Sequence, residues 1–196
     1  MKVVVDWDGT VTEVDGLHMI LERFGDPEVY AQMEGALGDG LSLHEVIEAE
    51  IATIGIPLER AVDWVRGNVS LRAGFREFVE LWRPVILSSG FRELIEPVLE
   101  RERVKVEVIA NELDPRSDGW RPIWRDAAEC ATCGEVCKRG VLAGEPFVYA
   151  GDGYSDRCVA LAASRVFARD GLAEYLAARE VPFEPFADFH EIARAL

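Results

Sequence analysis

The chain has 196 residues, 49% of them hydrophobic, and a formal net charge of −15. That size supports one good core and a small appended module. The negative balance disfavours nucleic acid and anionic membranes as partners, so a phosphate ligand would need a local positive site. No apolar run approaches a membrane span and the amino terminus enters a strand without a signal-peptide pattern, so a cytoplasmic location is expected.

The first element is the apolar run Val3-Val4-Val5, which opens onto Asp6-Trp7-Asp8-Gly9-Thr10. A buried strand of this kind delivers its end to the carboxyl edge of a sheet, where open α/β folds bind ligands. If the strand geometry continues through Trp7, the Asp6 and Asp8 Cα atoms lie about 6 to 7 Å apart on one face. Such a pair can divide labour. Asp6 can attack phosphorus while a cation keeps it ionised, and like-charge repulsion raises the pKa of Asp8 so that it can donate a proton. Capping of the turn by the two acids is the plain structural alternative.

Roughly seventy-five residues separate this strand from the next, too many for a simple crossover, so an insertion is expected. Its pattern is helical. Leu17, Ile20, Leu21 and Phe24 share a face, as do Val46, Ile47 and Ile51, with breaks at Asp26-Pro27, Gly38-Asp39-Gly40 and Ile56-Pro57. The expected organisation is a helical cap over residues 13–69 on a core of residues 1–12 and 70–196. His18, His44 and His190 lack the spacing of a metal or general-base site.

Ile86-Leu87-Ser88-Ser89-Gly90 is the second strand, followed by a helical pattern through Phe91, Leu94, Ile95, Val98 and Leu99. A helix N-terminus there would aim free N–H groups at an anion, with Ser88 adding a hydroxyl. A simple serine N-cap is the other reading. A strand over 104–110 comes next, in which Lys105 alternates with valines and points to solvent.

Cys130, Cys133 and Cys137 form C-x2-C-x3-C, a spacing that can gather thiolates for zinc or iron, with Cys158 as a conceivable fourth ligand. A metal site, a disulfide and free thiols all remain open. Lysine occurs only at Lys2, Lys105 and Lys138. Lys138, expected at the start of a helix over 138–143, is placed to neutralise phosphoryl oxygens and hold the nucleophile's charge. Phe147 to Ala150 is a further strand running into Gly151-Asp152, with Asp156 four residues later; acids at strand ends make a hard oxygen site for Mg2+. A last strand over 165–168 completes an alternation of strands and helices, which argues a doubly wound parallel sheet.

In this order the motifs Asp6-x-Asp8, Ser88, Lys138 and Gly151-Asp152-x-x-x-Asp156 resemble the haloacid dehalogenase superfamily of phosphohydrolases. Leu71 to Phe78 and Ala110-Asn111-Glu112-Leu113 resemble its phosphoserine phosphatase-like branch. Cys130 to Lys138, Val166 to Asp170 and Pro185 to His190 are similar to the methionine-salvage phosphatases of that superfamily, which act on 2-hydroxy-3-keto-5-methylthiopentenyl-1-phosphate. Ser89 and Trp7 depart from the residues usual there, glycine and phenylalanine.

The resemblance implies a Rossmann-like α/β core and a Mg2+-dependent phosphomonoesterase working through an aspartyl-phosphate. Asp6 would be the nucleophile, Asp8 the acid and base, and Ser88 and Lys138 the phosphoryl clamp. Asp6, the Asp8 carbonyl and Asp152 would hold the metal, with Asp156 supporting the metal or orienting Lys138. Ser89 and Gly90 would meet substrate. Asp15 would meet it too, or would only cap the first insertion helix through Thr12-x-x-Asp15. Arg66 and Arg72 are candidates for a substrate anion. The implied partner is a small-molecule phosphomonoester, with the chain a monomer or homodimer. Phosphoserine hydrolysis is the alternative within the superfamily; a phosphoaccepting signalling domain and a cysteine-centred metal-binding module are the alternatives outside it.

Overall fold

The computed structural model describes residues 2–125, 128–142 and 144–196. Strand β1 (Lys2–Val5) leads into a wide turn and then four helices, α1 (Gly16–Phe24), α2 (Pro27–Ala36), α3 (Leu43–Ile51) and α4 (Leu58–Asn68). The chain continues through α5 (Phe75–Trp82), β2 (Val85–Phe91), α6 (Arg92–Glu102), β3 (Glu107–Asp114), β4 (Arg121–Ile123), β5 (Phe147–Gly151), α7 (Arg157–Ala160), β6 (Arg165–Ala168), α8 (Asp170–Ala177), β7 (Glu184–Pro185) and α9 (Phe189–Ala195).

The strands form one seven-stranded sheet in the order β4-β3-β2-β1-β5-β6-β7, parallel except for β4, which runs antiparallel to β3. β1 lies at the centre. The chain first builds outward through β2 and β3, then returns to the other side of β1 through β5, so the strand order reverses beside β1 and opens a crevice at its carboxyl end. Both faces are covered, which is why the strands read as continuous apolar runs. Val3 and Val5 join the core beneath α5, α6, α9 and the helical insertion, while Val4 joins Leu87, Tyr149, Leu172 and Leu176 on the opposite face.

The insertion helices start where the sequence supplies caps. The Asp15 side chain accepts from His18 N, Asp26 caps α2 with Pro27 behind it, and Ser42 with Glu45 forms a capping box on α3. The insertion leaves and rejoins the sheet as a pair of adjacent segments, bridged between Thr12 and Leu71.

Several sequence expectations need local correction. β1 does not continue through Trp7: it ends at Val5, and residues 7–11 form a wide turn with Gly9 at φ +71°, closed by Thr12 N donating to Trp7 O at 3.0 Å. β3 begins at Glu107, not at Val104, because Arg103 ends α6 in a left-handed conformation and the chain needs the next residues to turn. Lys138 starts a 3-10 helix over Lys138–Leu142; Ala143, the expected end of a helix, lies outside the described residues. β4 and β7 are additions. No helix among the described residues is long and apolar enough to cross a membrane.

Candidate active site

The carboxyl ends of β1, β2 and β5 meet the inner surface of the insertion around a cavity of about 250 Å3. Asp6, Asp8, Asp15, Ser88, Ser89, Gly90 and Asp152 all line it. The structure thus gathers acids and serines from widely separated stretches of the sequence.

Asp6 is anchored by donating its backbone N–H to Ala150 O at 2.9 Å, which continues the β1–β5 ladder to the mouth of the sheet. Its Oδ1 accepts from Lys138 Nζ at 2.5 Å, and the same ammonium donates to Asp156 Oδ1 at 2.7 Å. Lys138 and Asp156 are fully buried. Asp156 is further held by Tyr149 Oη, at 2.6 Å, and by the N–H groups of Asp152 and Gly153. Burial opposes its charge, but Lys138 and these donors overcome that and keep its carboxyl below the usual range. Burial likewise opposes the charge on Lys138, and the two carboxylates outweigh it.

Positive charge is nevertheless short. Burial, and then the Asp156 carboxylate, push the Asp6 carboxyl well above its ordinary value despite Lys138. Asp152 is pushed up to about 7, by burial and then Asp156, even though Thr10 Oγ1 donates to its Oδ1 at 2.6 Å. Carboxylate oxygens of Asp6, Asp152 and Asp156 lie within 4.8 Å of one another. Three hard oxygen donors converging around a single ammonium make a set that fits Mg2+. Gly9 is required there, since a Cβ at that position would run into the Asp152 carboxylate.

Asp8 reaches the cavity through the turn, not through the pleat of a strand. Its Oδ1 accepts from Gly16 N at 2.8 Å, the first turn of α1. Burial and the neighbouring Asp15 hold its carboxyl well above the usual range, which favours the protonated form that a general acid needs. A side chain at Gly90 would stand 3.1 Å from Asp8 Oδ2 and 3.2 Å from Ser88 Oγ, so the bare glycine keeps open the space between these groups. Ser88 does not cap α6. Its Oγ accepts from Gly90 N at 2.8 Å within the stretch of β2 where the register against β3 shifts between Leu87 and Phe91, while the cap position belongs to Phe91.

The arginine assignments change. Arg66 is absent from the cavity wall and pairs with Glu100 on α6 at 2.9 Å, because α4 turns that face toward the sheet-covering helix. Arg72 donates to the carbonyls of Gly9, Thr10 and Thr12 and braces the turn that presents Asp8. Among histidines, His18 lines the cavity beside Tyr30, to which its Nδ1 is hydrogen bonded, whereas His44 stacks on Trp124.

Sequence reasoning missed three contributors. Arg125, beyond β4, donates to Ser88 O at 2.9 Å, and Asn111 donates to Ser89 O at 2.8 Å, so the β3–β4 hairpin fixes the serine segment from outside. Glu50, on the helical stripe of α3, is only 3% exposed yet lines the cavity beside Glu34. An acid at an apolar helical position is the signal that would have found it.

Burial, then Glu34 and Asp15, push Glu50 up to about 8. The folded chain therefore holds a proton here that the unfolded chain releases at lower pH. The stability associated with it is fully present below the ordinary carboxylate pKa of 4.5 and is lost as pH rises toward 8. Glu50→Gln is expected to match the native unfolding temperature near pH 4.5 and to exceed it near pH 8, by the equivalent of about 1–2 kcal/mol. Thermal melts across that range test this; equal curves at every pH would rule out a penalty at Glu50.

Comparison with known proteins agrees with this geometry. The model of the haloacid dehalogenase-like hydrolase family matches residues 3–161. A 2-hydroxy-3-keto-5-methylthiopentenyl-1-phosphate phosphatase of Geobacillus kaustophilus (strain HTA426) is 31% identical, over 97% of this chain and 93% of that protein. One of the same name from Exiguobacterium sp. (strain ATCC BAA-1283 / AT1b) is 28% identical, over 95% and 94%. Among solved structures, phosphoserine phosphatase from T. onnurineus in complex with NDSB-201 superimposes with a TM-score of 0.69 at 21% identity, over 97% of this chain and 91% of that one, a likeness of fold. Acids and lysine at the crevice of a doubly wound sheet, with a family match over most of its length, identify the chain as a member of the haloacid dehalogenase-like hydrolases and a phosphoric monoester hydrolase.

Proposed function

We propose that the chain hydrolyses a small-metabolite phosphate through an aspartyl-phosphate on Asp6, and that its substrate is 2-hydroxy-3-keto-5-methylthiopentenyl-1-phosphate. Residues 13–69 act as a cap that reads the leaving group over a core of residues 1–12 and 70–196. The convergence of Asp6, Asp8, Ser88 and Asp152 on one cavity, with Lys138 bonded to Asp6 behind it, carries the reaction class.

Asp6, hydrogen bonded to Lys138, attacks phosphorus in line as a carboxylate, and the ester oxygen leaves with the proton that Asp8 carries. Asp8, now a carboxylate, takes a proton from the water that attacks the phosphoenzyme. Ser88 Oγ and the Gly90 segment face the phosphoryl oxygens. Asp6, Asp152, Asp156 and the Asp8 carbonyl would hold Mg2+, which when bound supplies charge neutralisation for the phosphoryl group. Closing of the cap excludes water from the first step.

The cavity wall supports the substrate. Leu17, Leu21, Leu37, Leu43, Val46 and Ile47 offer an apolar surface suited to a thioether tail, beside Asp15, Glu34 and Glu50. A protonated Glu50 can donate to a keto oxygen. Among the described residues no arginine lines this cavity, and the buried Lys138 is committed to Asp6 and Asp156. The carboxylate of phosphoserine would therefore face the acids Asp15 and Glu34, with His18 as the basic side chain among the described lining residues. The relatives named above carry the same substrate in their names.

Parallel measurement of kcat/KM tests the reading. The methylthio enol-phosphate precursor is expected to exceed phosphoserine by at least about tenfold, and Asp15→Asn or Glu50→Gln to shift that ratio by roughly fivefold or more. Hydrolysis of p-nitrophenyl phosphate should change much less, because it presents little for the cap to read. Asn retains the capping role of Asp15. A large preference for phosphoserine would overturn the substrate and leave the reaction class in place.

A further inference from the structure

The four cysteines form a second cluster, separate from the acids. Cys130, Cys133 and Cys137 come from the segment ahead of Lys138, and Cys158 from α7; all four are free, and their sulfurs lie within 4.8 Å of one another. Cys130 Sγ and Cys158 Sγ are 3.8 Å apart. Four thiolates placed tetrahedrally about zinc at the usual Zn–S distance have sulfurs separated by about 3.8 Å.

The backbone around the first pair is built to present sulfur. In Cys130-Ala131-Thr132-Cys133-Gly134, the chain turns back on itself with Cys130 N donating to Glu135 O at 2.9 Å and Gly134 N donating to Cys130 O at 2.8 Å. Gly134 has φ +76°, which the turn requires and L side chains rarely adopt. Thr132 N donates to Cys130 Sγ at 3.4 Å, a contact that favours a thiolate. Arg157 precedes Cys158, its guanidinium 4.4 Å from the Tyr154 ring and 4.8 Å from the Tyr175 ring, and its buried Nε has no hydrogen-bond partner. Arg157 lines one cavity with Cys133, Cys137 and Cys158, so a positive group stands near a cluster that becomes an anion when it binds a divalent metal.

We propose that Cys130, Cys133, Cys137 and Cys158 bind one Zn2+ as a closed, four-coordinate structural site. Binding forms four Zn–S bonds and releases to solvent the protons still carried by the thiols, with no change in oxidation state. The soft donor set separates this site from the carboxylates of the cavity, which suit a hard cation. Its position gives it a purpose. Cys137 adjoins Lys138, and Cys158 follows Asp156 by two residues, so the metal ties together the same two segments that the Lys138 Nζ–Asp156 Oδ1 bond joins at 2.7 Å.

The test uses the full chain purified under reducing conditions without chelator. Elemental analysis should find one zinc per chain, and exchange with Co2+ should give sulfur-to-cobalt charge-transfer bands with the visible bands of a tetrahedral site. Asp6→Asn should keep its zinc, whereas Cys133→Ser should lose it and unfold at a temperature lower by roughly 5 °C or more. If Cys133→Ser does not fold, the zinc content and cobalt spectrum of the native chain decide. Absence of both zinc and cobalt-thiolate bands, a disulfide among these cysteines, or stoichiometric iron would overturn the proposal. Zinc lost from Asp6→Asn but kept in Cys133→Ser would place the metal at the acids and overturn it too. None of these outcomes bears on the phosphatase reaction, which phosphate release measures separately.

Discussion

Asp6→Asn is expected to lower kcat by roughly four orders of magnitude or more while leaving the unfolding temperature at or above that of the native chain. The amide keeps the shape of the carboxylate and loses both its nucleophilicity and its charge. Stability should not suffer, because that charge is unfavourable in the folded protein. Burial and Asp156 push the Asp6 carboxyl well up, so its contribution to stability is present at low pH and lost as pH rises through the folded-state value. Lys138 keeps Asp156 as its partner at 2.7 Å. Phosphate release and thermal melts measure the two effects independently. A variant that hydrolyses ester at the native rate would remove Asp6 from the mechanism; one that fails to fold would show that the Asp6–Lys138 bond stabilises more than the burial costs.

Lys138→Ala should lose activity and stability together. Lys138 lies between two buried carboxylates, at 2.5 and 2.7 Å, and its removal leaves both without their shared cation. Removing one partner of a buried ion pair typically costs about 3–5 kcal/mol, which for a chain of this size lowers the unfolding temperature by roughly 10 °C. The loss has a sign in pH. Without the ammonium, Asp156 no longer holds its carboxyl below the ordinary range, so the variant should recover part of its stability as pH falls and the acids take up protons. Added Mg2+ should not restore kcat, since a divalent cation cannot donate the hydrogen bonds that Lys138 Nζ makes to Asp6 Oδ1 and Asp156 Oδ1. Unchanged kcat/KM in Lys138→Ala would remove Lys138 from the mechanism and leave the phosphate charge to be held by another group. Arg92 is poorly placed for that, being bonded to Glu96 and to Val108 O.

Much of the candidate site was legible because its chemistry is local. Val3 to Asp6, Ile86 to Ser88 and Phe147 to Asp152 each couple an apolar run to a polar end, and a buried parallel strand places such an end at the sheet edge. The scarcity of lysine singled out Lys138. Asp8 was identified, but its route to the cavity was misread, since Gly9 and the bracing by Arg72 turn the chain where strand geometry would have continued. Arg66 was misplaced for a different reason. A charged residue near the end of a helix has no direction until packing chooses its face, and α4 turns this one toward Glu100.

What the sequence determined by itself was the order of the five main parallel strands and the alternation of helices with them, the identity of the acids at the strand mouths, and the helical character of the insertion. Each follows from short-range periodicity, capping and turn chemistry. The tertiary structure alone decided that Glu50 and Glu34 enter the cavity wall, that Arg125 supports the Ser88 segment from a hairpin, and that Cys158 closes on Cys130 across 28 positions of sequence. These are long-range juxtapositions, chosen when the insertion and the loop before Lys138 pack onto the finished sheet, and the sequence around each residue carries no mark of the partner it will meet.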